Sequence, residues 1–173
     1  MKFIKLLLFI PLYIGCNSNP SGNNPASNKG GLDTTTDIYS VAEEDPSMNL
    51  AIDKAKQTIA EFDKALKTGN PLYDAFAIKK RYNSPDGGGE HMWIGGISIE
   101  NGNYKGVVNN DAEKTTEVKY GDTVIVRKDE ITDWMYLDNN VLKGGYTIRE
   151  IRNQLNKEDR IKMDKELGFI IED

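Results

Sequence analysis

The 173 residues predict an α+β fold: an antiparallel, strongly curved sheet of about five to six strands, packed by an N-terminal helix and followed by one or two short C-terminal helices. Three observations carry this prediction. Apolar side chains between Met48 and Leu66 recur in steps of four and three, the spacing of one helical face. From Phe76 to Tyr136 the pattern changes to period-two or β-branched runs broken by glycine- and asparagine-rich turns. After Gly144-Gly145 the helical spacing returns.

The first residues are read separately from the fold. Lys2 and Lys5 precede an apolar run over 6–12 and then Tyr13-Ile14-Gly15-Cys16, the layout of a secretory leader. A small residue followed directly by cysteine resembles the lipobox of bacterial lipoproteins, although Tyr13 stands where leucine is usual. That resemblance implies a signal peptide over 1–15 and lipidation of Cys16; an ordinary signal peptide and a short uncleaved anchor are the alternatives. The run is short for a bilayer span. Residues 16–40, rich in Asn, Ser, Pro and Gly, cannot offset their ordering entropy by burial and are expected to form a flexible tether, with 37–41 a short strand or strap. Residues 41–173 are expected to form a single globular domain.

Asp45-Pro46 predicts the helix start, an aspartate N-cap followed by proline where no amide hydrogen is needed. Met48, Ile52, Ala55, Ile59, Phe62 and Leu66 form the apolar stripe, and Gly69-Asn70-Pro71 ends it. The same stripe is compatible with a coiled-coil seam, but its length and its alanine favour packing on a sheet. Phe76, Ile78, Lys80 and Tyr82 alternate with Ala77, Lys79 and Arg81 as a strand, and 84–89 turns the chain. The next strand, over 91–100, places Trp93, Gly95, Ile97 and Ile99 on one face, with Met92, Ile94, Gly96 and Ser98 on the other. Asn101-Gly102 is a hairpin turn into a strand over 104–108. Gly121-Asp122 leads into a β-branched strand, and Asp138-Asn139-Asn140 turns a further hairpin. Thr147 and Glu150 have capping-box spacing for a helix, and a last helix over 157–167 is closed by Gly168.

Two stretches share one grammar of carboxylate, Trp and Met: Glu90-His91-Met92-Trp93-Ile94 and Ile131-Thr132-Asp133-Trp134-Met135-Tyr136. They are expected to be neighbours across the sheet. Together with Tyr104-Lys105-Gly106-Val107, Tyr120-Gly121-Asp122 and Gly144-Gly145-Tyr146-Thr147-Ile148-Arg149, they resemble the YegJ-like bacterial family, a domain of unknown function, over 41–152. The resemblance implies a small bacterial α+β domain and supplies no catalytic residues. The tether and the tail from 153 onward lie outside it.

Composition narrows the chemistry. Removing 1–15 takes away Lys2 and Lys5, so 22 basic residues become 20 against 27 acidic, a balance of −7 that argues against nucleic acid and allows a cationic partner. Cys16 and His91 are the only residues of their kinds, which excludes Cys/His zinc sites and an intramolecular disulfide. Glu90, His91 and Asp133 are the acid-base candidates, weighed against structural roles beside tryptophan. Trp93, Trp134, Tyr136, Tyr146 and Arg149 are the binding candidates, weighed against core packing. Gly87-Gly88-Gly89 precedes a strand, not a helix, so it reads as a turn and not a phosphate cradle. Asp86, Glu90, Asp133 and the 138–140 loop lack Ca²⁺-loop spacing, and neither metal nor cofactor is expected. The leading expectation is a lipid-anchored bacterial envelope protein, exported, that binds a protein or small ligand without catalysis. A hydrolase using Glu90, His91 and Asp133, an inhibitor or immunity-type protein, and a purely structural envelope protein are the alternatives.

Overall fold

The computed structural model describes residues 45–172. The leader, Cys16, the tether and the strap over 37–41 lie outside the described residues.

Helix α1 spans Pro46–Thr68. The Asp45 carboxylate accepts the amides of Ser47 and Met48, and Gly69 closes the helix in the left-handed region at φ 61. Its inward stripe of Ala55, Ile59, Phe62 and Ala65 is buried on an open antiparallel sheet. The six strands are β1 (Tyr73–Asn83), β2 (Gly89–Glu100), β3 (Asn103–Val108), β4 (Thr123–Val126), β5 (Ile131–Asp138) and β6 (Val141–Gly144), in spatial order β4-β3-β2-β1-β5-β6. Helices α2 (Tyr146–Gln154) and α3 (Lys157–Leu167) follow. The sheet and the one-plus-two helices are those the residue patterns predict.

Alternation along the strands divides the interior in two. Ile78, Tyr82, Met92, Ile94, Tyr104, Val108, Val126, Ile131 and Trp134 pack with α1. On the opposite sheet face Leu137 joins Leu142, Ile148 and Met163, with Trp93, Met135 and Phe169 packed around them. An aromatic chain runs through the first cluster: Phe62 lies 5.6 Å from Phe76, 6.2 Å from Tyr104 and 5.8 Å from Trp134, edge-on or tilted in each case.

Three expectations are corrected. The two Trp-Met stretches are not adjacent, because β1 lies between them: Ile78 pairs with Ile94 on one side and Trp134 on the other, and Lys79 with Trp93 and Asp133. The strict alternation expected for β2 breaks at an irregularity between Gly95 and Ser98, where Gly96 takes φ +64. One extra residue reverses the facing of all that follows. Ile97 therefore packs on the α1-side core, and Ile99 pairs with Tyr104. Thr147 and Glu150 do not form a capping box: α2 begins at Tyr146 with Gly145 as N-cap, and the Thr147 hydroxyl is used elsewhere.

Candidate functional site

The acid-base candidates sit in β2 and β5, and strand alternation separates them. Glu90 pairs with Tyr82, on the α1 side, whereas His91 pairs with Arg81 and Asp133 with Lys79, on the other side. Glu90 therefore does not share a face with His91 and Asp133. Its two oxygens accept the backbone amides of Glu113 (2.9 Å), Lys114 (2.9 Å) and Thr115 (2.8 Å), tying down the long β3–β4 connection. Burial pushes the Glu90 carboxyl up, but those three amides outweigh it and hold the group below its usual range. The Asp86 carboxylate accepts from the Ser84 hydroxyl and the Gly88 amide, within its own turn.

His91 Nδ1 lies 3.0 Å from the Thr132 hydroxyl oxygen. That hydroxyl also donates to the Lys79 carbonyl at 3.2 Å.

Asp133 is fully buried and accepts four hydrogen bonds: from the amides of Trp134 (2.8 Å), Tyr146 (3.2 Å) and Thr147 (2.8 Å), and from the Thr147 hydroxyl (2.6 Å). Gly145, the N-cap residue, has no side chain to cap α2, so Asp133 supplies the cap from the neighbouring strand. Lys79 Nζ donates to the same Thr147 hydroxyl at 3.1 Å and lies 5.2 Å from the Trp93 ring centroid. Burial pushes the Asp133 carboxyl up and the Lys79 ammonium down; the Thr147 hydroxyl and Lys79 charge oppose the first shift, and the Asp133 charge opposes the second. The arrangement fastens α2 to β1 and β5.

The binding candidates fare differently. Trp93 lies apart, on the second core, while Trp134, Tyr136, Tyr146 and Arg149 line one open cleft of about 380 Å³ together with Glu61, Lys143 and Glu172. Trp134 is its buried floor: it is 1% exposed and donates its indole N–H to the Ala55 carbonyl at 3.0 Å. Tyr136 stacks between Phe76 (5.1 Å) and Trp134 (6.2 Å), and Tyr146 meets Trp134 edge-on at 5.8 Å. Gly144 lines the cleft at φ +68 and Gly145 follows at +62; a Cβ on Gly144 would sit 2.3 Å from the Trp134 carbonyl oxygen. Arg149 faces the β6 edge, donating from Nε to the Gly144 carbonyl (2.9 Å), from Nη2 to Leu142 (2.8 Å) and from Nη1 to Glu172 (2.8 Å).

Sequence reasoning missed Glu61, Lys143 and Glu172 as cleft members and Lys79 as the partner of Asp133. Lys79 carried no distinguishing signal, standing first in the basic run Lys79-Lys80-Arg81. The other three are ordinary surface charges whose meeting depends on how α1, β6 and the tail pack.

Among known proteins, 34% identity over 108 residues relates the chain to the "Uncharacterized protein YegJ" of Escherichia coli K12, covering 62% of this chain and 70% of that protein. The "Putative ankyrin repeat protein NMB1133/NMB1171" of Neisseria meningitidis serogroup B is 32% identical over 139 residues. That match takes in 76% of this chain but spans only 55% of the Neisseria protein's length. No solved structure matches. The family model described as "Uncharacterized protein conserved in bacteria (DUF2314)" matches residues 45–170, which runs from the α1 N-cap to the residue paired with β6, and the chain belongs to that family.

Proposed function

We propose that the chain is a lipid-anchored, exported protein of the bacterial envelope whose folded domain is a binding module without catalysis. The observation that carries the reading is the cleft beside Tyr136, where four of the five binding candidates meet on an aromatic floor with an open mouth. Concave, aromatic-walled sites with a few polar groups are the usual seats of recognition. The acid-base candidates support it from the other direction, since the Glu90 oxygens hold a loop and the Asp133 oxygens cap a helix. The lipobox-like Tyr13-Ile14-Gly15-Cys16 supports the anchor, and the acidic balance after loss of 1–15 favours a cationic partner, as for an inhibitor or immunity-type protein.

Recovery of a partner from solubilised envelope tests the module. A partner held by the native chain and released by Tyr136→Ala with Tyr146→Ala supports it; no partner, or one held equally by both, refutes it. Metabolic labelling with a lipid probe is expected to vanish in Cys16→Ala, and persistent labelling would end the lipoprotein reading. The hydrolase alternative predicts that Glu90→Gln, His91→Ala and Asp133→Asn retain the fold and lose turnover. Structural roles predict a lower melting temperature instead.

A further inference from the structure

The cleft beside Tyr136 holds two acids, Glu61 and Glu172, and two cations, Lys143 and Arg149, and their engagement is uneven. Both of its cations are engaged: Lys143 Nζ lies 3.5 Å from the Glu172 carboxylate, and the Arg149 guanidinium donates to three carbonyls. Glu61, on the exposed side of α1, enters no hydrogen bond or ion pair among the described residues. The hydroxyls of Tyr136 and Tyr146 have no hydrogen-bond partner there either. Burial first, then Tyr73 and the negative charges of Asp138 and Glu61, push the Tyr136 hydroxyl up, and Glu61 lines the same cleft as Tyr136. The faces of the Tyr136 ring are covered by Phe76 and Trp134, so Tyr136 offers the cleft an edge and an oxygen.

What the cleft leaves open is one carboxylate and two phenolic oxygens, all able to accept hydrogen bonds, on an aromatic wall. We propose that the cleft binds an arginine side chain of a partner protein, with Glu61 as counter-ion, the Tyr136 and Tyr146 hydroxyls accepting further N–H groups, and the Tyr146 ring against the guanidinium plane. A guanidinium carries five donors in one plane, is weakly hydrated and stacks on aromatic rings, whereas lysine concentrates its charge at one strongly hydrated point. The inference rests on the binding-module reading and names the chemistry the partner presents.

The test is a titration of the isotope-labelled chain with acetyl-Gly-Arg-Gly-amide, followed by NMR, with acetyl-Gly-Glu-Gly-amide as the matched control. The arginine peptide is expected to move the Gly144, Gly145 and Tyr146 amides saturably, and the glutamate peptide to leave them still. Glu61→Gln is expected to weaken the response about tenfold, the scale of one charge-assisted hydrogen bond. Because Glu61 is exposed, that variant keeps its fold, and Tyr136→Phe, which removes only an oxygen, is expected to weaken binding with little change in melting temperature. Equal response to both peptides, no saturable response, or an arginine response indifferent to Glu61→Gln would overturn the assignment. Saturable arginine binding elsewhere on the surface also overturns it while leaving the binding module intact. Cleft binding by the peptide, with no partner in the envelope, sinks the module reading instead.

Discussion

Replacing Asp133 by asparagine keeps the shape of the side chain and removes its charge. It turns one of two accepting oxygens into a donor, in a site where the amides of Trp134, Tyr146 and Thr147 and the Thr147 hydroxyl all point at the carboxylate. Whichever way the amide turns, at least one N–H of the strand or of α2 faces another donor, and Lys79 loses its counter-charge. Lys79 reaches the carboxylate only through the Thr147 hydroxyl, so the loss is set by the hydrogen bonds to a charged acceptor, about 1.5–3 kcal/mol each, and by the stranded buried ammonium, which together put it at about 4 kcal/mol. With a urea slope of roughly 2 kcal/mol per molar, the unfolding midpoint falls by about 2 M. Trp134, buried against α1 and touching Tyr146, reports the transition by fluorescence. Adding Lys79→Met to Asp133→Asn removes the stranded ammonium and is expected to recover about 1–3 kcal/mol in a double-mutant cycle. A midpoint shift below about 0.5 M for Asp133→Asn, or no coupling to Lys79, refutes the account of Asp133 as a charged helix cap.

The Glu90 carboxylate carries a pH dependence. Its folded-state pKa lies below the ordinary value of 4.5, so its stabilisation is complete above about pH 4.5 and is lost as the pH falls through the lower folded value. Amide exchange at Glu113, Lys114 and Thr115 is expected to quicken over that acid range relative to Ile94, and Glu90→Gln is expected to abolish the difference. Gly144→Ala must place a methyl group against the Trp134 carbonyl in a left-handed backbone and is expected to cost at least about 2 kcal/mol by thermal unfolding; a neutral result would contradict the close approach at this turn. Arg149→Met frees the Leu142 and Gly144 carbonyls and is expected to cost about 2 kcal/mol and to increase self-association on size-exclusion chromatography, whereas an unchanged elution profile would show that those carbonyls do not need the guanidinium.

What could be read beforehand was local. Asp45 and Gly69 bound α1 because capping depends on residues one to three positions away, and Asn101-Gly102 fixes the β2–β3 hairpin for the same reason. The shared Trp-Met grammar correctly placed both stretches in one sheet, yet gave no means of counting the strands between them. Thr147 had the spacing of a capping box, but its hydroxyl had a stronger acceptor in Asp133, 14 residues earlier. Glu90 resembled a catalytic carboxylate because its partners, three backbone amides, leave no mark in side-chain sequence. Of the candidate site, the aromatics were legible because their types are rare; Glu61 was not, being one of many charges on a solvated helix face.

The two edges of the sheet are finished differently. At β6 the Leu142 amide donates to the Ile170 carbonyl, while Arg149 covers the outward carbonyls of Leu142 and Gly144. At β4 no further strand pairs among the described residues, and its Ile125 stands 61% exposed. A sheet with one plugged margin has a valence of one. Two molecules meeting along β4 present only plugged margins to the outside, so backbone pairing through this sheet stops at two and cannot run on into a filament, even where many copies are held close together.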